Sequence, residues 1–138
     1  MQGFNVIWVF NPSKDKVLMC YRHKNPYKGL YNLVGGKIDK GEDGLAAAYR
    51  ELQEETGIVD IKLKHLMNFT YFIEGGCYLE AYFGKLDSET EVFGDEKELV
   101  WIDINENLFD SSRFAGEGSI GHIFEVIKNI DTHPSTTY

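Results

Sequence analysis

The stretch from Gly36 to Ile58, GKIDKGEDGLAAAYRELQEETGI, constrains this chain more than any other. It reads as one short helix that opens at about Asp43, a suitable N-cap, and runs to Thr56, where Gly57 supplies the left-handed residue that ends it. Glu51, Glu54 and Glu55 sit at i, i+3 and i+4 of that helix. At about 100° per residue the three carboxylates share one face. Glu54 and Glu55 stand next to the helix-ending glycine, where each negative charge opposes the helix dipole by about 0.3–1 kcal/mol, and the acids also repel one another. Such a cluster needs a positive partner, and a divalent cation is the natural one. Leu45, Ala48, Tyr49, Leu52 and Thr56 fall within about 100° of arc and form the expected core stripe. The glutamates lie beside that stripe, at the lip of the core and not out in bulk water.

Charge along the chain is uneven. The net value is −8, yet Lys14 to Lys40 carries seven of the 14 basic residues against Asp15 and Asp39, a local balance of +5 that leaves −13 elsewhere. The protein as a whole repels a polyanion while this one segment attracts it. The basic footprint is too short for duplex nucleic acid, and a compact phosphate ester delivered with its metal suits it better. No apolar run approaches the roughly 18 residues of a membrane span, and MQGFNVIWVF lacks the basic start and cleavage site of a signal peptide. Cys20 and Cys77 fit neither a disulfide framework nor a metal knuckle and read as two reduced thiols in or near a core. The expectation is one domain over residues 1–138 in the cytoplasm, away from membranes.

Strands are expected at Phe4–Phe10, Lys16–Arg22, Tyr31–Ile38 (broken by Gly35-Gly36), Ile61–Ile73, Cys77–Leu86 and Leu99–Ile104. Asn11 to Asp15 and Glu74-Gly75-Gly76 are turn signals, the second marking a hairpin. A second amphipathic helix is expected over Gly118–Ile130, with Ile120, Ile123, Phe124 and Ile127 at helical spacing, before a frayed tail. This order predicts an α+β fold: a layered α/β/α sandwich, a mixed β-sheet with one helix on each side.

Gly36, Glu42, Arg50-Glu51-Leu52, Glu54-Glu55 and Gly57-Ile58 match every defined position of Gly-x5-Glu-x7-Arg-Glu-apolar-x-Glu-Glu-x-Gly-apolar. That pattern resembles the Nudix box, and chance agreement is on the order of one in 10⁹ per window. The resemblance implies a hydrolase that splits a nucleoside diphosphate linked to another group, using Mg²⁺ or Mn²⁺. Position by position it makes Glu51, Glu54 and Glu55 metal ligands, together with the backbone carbonyl of Gly35. It gives Arg50 the task of orienting a carboxylate of the cluster. Glu42 stays open between water-mediated metal binding and bracing the loop. Gly36 and Gly57 serve as structural glycines of the motif. A metal-activated water would attack phosphorus, Glu51 or Glu54 would accept its proton, and the metals with Lys37 or Arg22 would stabilise the phosphate oxygens. Family enzymes often use a further acid from a distant loop, which here points to Glu96 first and Glu98 second.

Upstream, Tyr31-Asn32-Leu33-Val34-Gly35-Gly36-Lys37 is similar to the run in the family's oxidised-purine nucleoside triphosphatases, whose asparagine hydrogen-bonds the purine. Asn32 is thus the base-binding candidate, since an amide donates and accepts in one plane, with a local backbone bond as the alternative. Arg22 matches the place of a phosphate-contacting residue in MutT-type members. Tyr31, Tyr71, Phe72, Tyr78, Tyr82 and Phe83 are candidates for a stacking wall, most of them expected to be ordinary core. The proline that usually follows the box in ADP-ribose hydrolases is missing from TYFIEGG, and the NADH and coenzyme A signatures are absent too. The expected activity is a MutT-like pyrophosphohydrolase cleaving a nucleoside triphosphate, with 8-oxo-dGTP as one candidate, to the monophosphate and pyrophosphate. Alternatives are ADP-ribose, dinucleoside polyphosphates, RNA 5′ ends, or a non-catalytic ligand-binding module. Monomer and homodimer remain equally open.

Overall fold

A computed structural model describes residues 1–94 and 97–130. Glu96 and the tail expected to fray lie outside the described residues. The strands are β1 (Gln2–Phe10), β2 (Lys16–Tyr21), β3 (Tyr31–Leu33), β4 (Lys37–Ile38), β5 (Lys64–Tyr71), β6 (Cys77–Lys85) and β7 (Glu98–Asp103). Helix α1 (Gly44–Thr56) lies between β4 and β5, and α2 (Ser119–Ile130) follows β7.

The mixed sheet is organised around β1. On one side β1 runs parallel to β6, in register from Gln2 opposite Cys77 to Phe10 opposite Lys85. On the other it pairs antiparallel with β4 near its start and with β2 at Phe10. Strand β2 carries β3 and β7 antiparallel, and β5 closes the far edge against β6, with a bulge between His65 and Met67. The β5–β6 hairpin turns through a 3₁₀ turn, Ile73–Gly75, as the Glu74-Gly75-Gly76 signal predicts. The expected long strand from Ile61 is shorter at both ends. Ile61 and Leu63 are apolar because they pack under α1 as connecting chain, not because they pair in the sheet.

Alternation along β1 divides the core. Ile7 and Val9 point to one face and are buried against Ala48 and Leu52 of α1, while Trp8 and Phe10 point to the other, against Ile120, Ile123 and Ile127 of α2. Each such buried apolar side chain is worth about 1.5–3 kcal/mol relative to exposure. Trp8 also stacks on Phe124 with ring centroids 4.9 Å apart. One helix covers each face, as predicted. The α1 stripe is rotated from the expected one: Leu45 is exposed, and Ala47 is buried instead. The first turn of α1 borders an open cleft that it lines together with His65 of β5 and Glu80 and Tyr82 of β6, and Leu45 stays exposed at its edge.

Candidate active site

Helix α1 forms where its sequence directs. Its interior is rich in Ala, Leu, Glu and Arg, the strong helix formers. The Asp43 carboxylate accepts from the Ala46 N–H at 3.1 Å, and Gly57, at φ 80°, donates its N–H to the Gln53 carbonyl at 2.9 Å. Both predicted caps are present. Thr56 adds a local lock, donating its hydroxyl to the Leu52 carbonyl and accepting from the Ile58 N–H.

The break between β3 and β4 brings backbone under the glutamates. The Asn5 N–H donates to the Gly36 carbonyl at 2.8 Å, and the Asn5 Oδ1 accepts from the Gly36 N–H at 2.9 Å. A Cβ on Gly35, whose φ is +147°, would lie 2.2 Å from the Asn5 carbonyl oxygen, and one on Gly36 would lie 2.4 Å from the Glu51 carboxyl carbon. Glycine at 36 therefore makes room for the Glu51 carboxylate against the main chain. The Gly35 N–H donates to Glu55 Oε2 at 3.2 Å.

Arg50 ties the acids together. Its Nε and Nη2 reach the two oxygens of Glu42 at 2.7 and 2.9 Å, a planar fork on a carboxylate. Its Nη1 donates to Glu51 at 3.0 Å and Glu54 at 3.2 Å, and Nη2 also reaches the Lys37 carbonyl at 3.1 Å. Glu42 is thus a brace for the loop, with the Asp39 N–H on its Oε1 as well. The Arg50 hydrogen bonds, followed by that backbone bond, pull the Glu42 carboxyl down to about 2. Glu51 moves the other way: burial pushes its carboxyl above the ordinary range, Glu55 and Glu54 add to the push, and Arg50 opposes it.

Glu51 and Glu55 are well covered, at 14% and 13% side-chain exposure, whereas Glu54 sits at the rim with 59%. The second oxygen of Glu55 carries Lys97, at 2.8 Å. Sequence reasoning missed Lys97 and Asn5. Lys97 stood between the two acids singled out near β7, and Asn5 is the one polar residue among the apolar positions of β1 that face α1.

The other expected residues fall nearby or apart. Arg22 follows β2, donates its Nε to the Pro26 carbonyl at 2.6 Å, and lines a cavity of about 100 Å³ with Cys20 and Lys97. The Lys37 side chain is exposed on β4. Asn32 lies opposite Cys20 across the β2–β3 ladder, hence on the same face, but its Oδ1 accepts from the Leu33 N–H at 2.8 Å, the local bond that was the alternative. Glu98 is opposite Tyr21 in the β2–β7 register, on the reverse face of the sheet, and stands 3.5 Å from His23. The structure does not bring it to the glutamates. Of the aromatic candidates, Tyr82 is buried and donates to Glu80, while Phe72 is exposed at the hairpin tip.

Among the described residues no three acidic, imidazole or thiol side chains are arranged to close on an ion by themselves; Arg50 bridges Glu51 and Glu54, and Lys97 pairs with Glu55. The donor set still fits a hard divalent cation. Three carboxylates from one helix face, two of them largely withdrawn from water, meet main chain that only glycine permits.

The NUDIX domain model matches residues 1–119, and the chain belongs to that family. Over 103 residues it is 32% identical to the uncharacterized Nudix hydrolase YvcI of Bacillus subtilis, which covers 67% of this chain and 61% of that protein. It is 42% identical over 53 residues to an ADP-ribose pyrophosphatase of Methanocaldococcus jannaschii, covering 38% and 31% respectively. The chain thus spans less than two thirds of the length of these relatives. The fold superposes with a TM-score of 0.72 on a MutT Nudix hydrolase from Burkholderia pseudomallei, at 19% identity over 91% of this chain and 97% of that one.

Proposed function

We propose that this domain is a metal-dependent hydrolase of phosphoanhydrides in nucleotide derivatives, and within that class a pyrophosphohydrolase of nucleoside triphosphates. The carrying observation is the assembly of Glu51 and Glu55 against the Gly35–Gly36 backbone, with Arg50 bonded to Glu42, Glu51 and Glu54. Mg²⁺ or Mn²⁺ held by Glu51, Glu54, Glu55 and the Gly35 carbonyl would polarise the phosphoanhydride and acidify an attacking water. Glu51 is the better placed of the two candidate bases. Burial raises its affinity for a proton, whereas Glu54 stands in solvent. Arg50 fixes the Glu51 carboxylate and keeps it from swinging out. Arg22 and Lys37 offer charge to phosphate oxygens, Asn32 keeps its amide donor for a base, and Glu96 remains the candidate distal acid. The products are the nucleoside monophosphate and pyrophosphate.

One observation favours a second reading. The Asn32 Oδ1 is engaged by the Leu33 N–H, which leaves the amide as a donor and reduces its power to discriminate bases. A less base-selective substrate such as ADP-ribose fits that arrangement, in keeping with the activity in the name of the M. jannaschii relative. We read residues 1–138 as one domain acting on small nucleotides in the cytoplasm, where Cys20 and Cys77 remain free thiols. Among the described residues no helix is long and apolar enough to cross a membrane.

A panel of dGTP, 8-oxo-dGTP, ADP-ribose, a dinucleoside polyphosphate and 5′-triphosphate RNA, each with Mg²⁺, tests the proposal by product analysis. Pyrophosphate release from a triphosphate, lost in Glu54→Gln by more than the 10–100-fold typical of outer-shell changes, supports it. Preference for ADP-ribose replaces it with the second reading. Binding without turnover of any member would overturn both.

A further inference from the structure

A carboxylate withdrawn from water as far as that of Glu55 is costly unless its charge is met. The Gly35 N–H meets one oxygen and Lys97 the other. Lys97 reaches it from just before β7, 42 positions further along the chain. The two cations of the site are built differently. Arg50 is held through a planar fork on Glu42 and a main-chain carbonyl, so its place is set by several bonds at once. Among the described residues Lys97 pairs with Glu55 alone, through a point contact on a flexible four-carbon stem, and it is 37% exposed. It also lines the cavity of about 100 Å³ that holds Arg22 and Lys24. The ammonium therefore sits between an acidic wall and a basic one.

We propose that Lys97 is a displaceable counter-ion: it neutralises Glu55 while the site is free of metal, yields that carboxylate to a divalent cation, and then turns its charge toward the anionic oxygens of a substrate in the Arg22 cavity. The inference rests on the metal-dependent reading above. It makes metal and nucleotide reciprocal partners. A cation alone must compete with Lys97 for Glu55, whereas a nucleotide that engages the released ammonium removes the competitor. Lys97 is a positioning residue in the first state and a substrate contact in the second.

The test is a Mn²⁺ titration followed by the EPR signal of the free ion, on the full chain, for wild type, Lys97→Met and Lys97→Gln. Each is measured with and without dGTP carrying an α,β-methylene bridge, which resists cleavage. Without nucleotide, both variants are expected to bind Mn²⁺ about 3–10-fold more tightly than wild type, because the competing ion pair is gone. With the analogue, wild type tightens and the variants gain less. Unchanged or weaker Mn²⁺ binding in a folded variant, with wild-type binding intact, overturns the counter-ion role alone. Absence of Mn²⁺ binding by wild type overturns this role together with the metal-dependent reading. Lys97→Gln is one atom shorter but keeps a polar, uncharged end, so it carries the test if Lys97→Met fails to fold.

Discussion

At the scale of single residues, Glu42 and Glu51 pull in opposite directions although both touch Arg50. Glu42 sits at about 2, below its ordinary 4.5, so its bonds stabilise the fold fully above pH 4.5 and are lost as the pH falls toward 2. Thermal melts should therefore show the midpoint dropping across that window, and Glu42→Gln should flatten the drop. The carboxyl of Glu51 is raised by burial, so what it contributes is present below the ordinary carboxyl range and is lost as the pH rises. At pH 7 without metal, Glu51→Gln is expected to melt higher than wild type while hydrolysis is lost, the usual conflict between stability and a functional charge. Melting curves and a product assay on the same preparation check both halves. The three acids of α1 were legible from spacing, and Arg50 from the resemblance, because the motif is local and helical. Lys97 was not, since its role depends on where a loop 42 positions away lands. Asn32 shows a related limit: the sequence offered its local backbone bond as one of two alternatives, and only the strand geometry shows it formed.

At the scale of elements, α1 is fixed at both ends by local chemistry, which is why its limits could be read in advance. Asp43→Ala removes the cap on the Ala46 N–H and is expected to cost about 1 kcal/mol, seen as a lower denaturation midpoint with an unchanged slope. Gly36→Ala brings a methyl to 2.4 Å from the Glu51 carboxyl carbon, so the loop or the glutamate must shift. The expected result is Mn²⁺ binding weakened by about 10-fold or more, measured by the same EPR titration, with secondary structure by circular dichroism retained. Elements set by packing were harder to foresee. Ile61 and Leu63 have the composition of a strand, yet their burial under α1 comes from tertiary position. Leu45 sits on the apolar arc but lines an open cleft opposite the polar groups of His65 and Glu80, so it stays exposed.

At the scale of the whole molecule, the sheet separates chemistry from support. Among the described residues, Glu42, Glu51, Glu54 and Glu55 gather on the α1 side, and the Trp8–Phe124 stack belongs to the α2 face. Phe124→Ala is expected to cost about 2–4 kcal/mol in chemical denaturation while leaving Mn²⁺ affinity within twofold, since distant sites act independently. The layered order was legible because apolar runs, turn glycines and a capped helix alternate along the chain. Beyond the β5–β6 hairpin the strand partners were not, because β1 pairs parallel with a segment far along the sequence. Cys77 stands opposite Gln2, 75 positions later, so closing that pair confines a long loop at an entropic cost of about 4 kcal/mol. On a ribosome adding about 5–20 residues per second, the first strand waits roughly 4–15 s before its central neighbour exists. By the end of that interval the glutamate helix, complete at Thr56, has been synthesised without a large part of the sheet it will lie across. The charged centre is consequently among the later parts of the molecule to acquire its surroundings, because β2 has still to pair with β7, where Lys16 stands opposite Asp103.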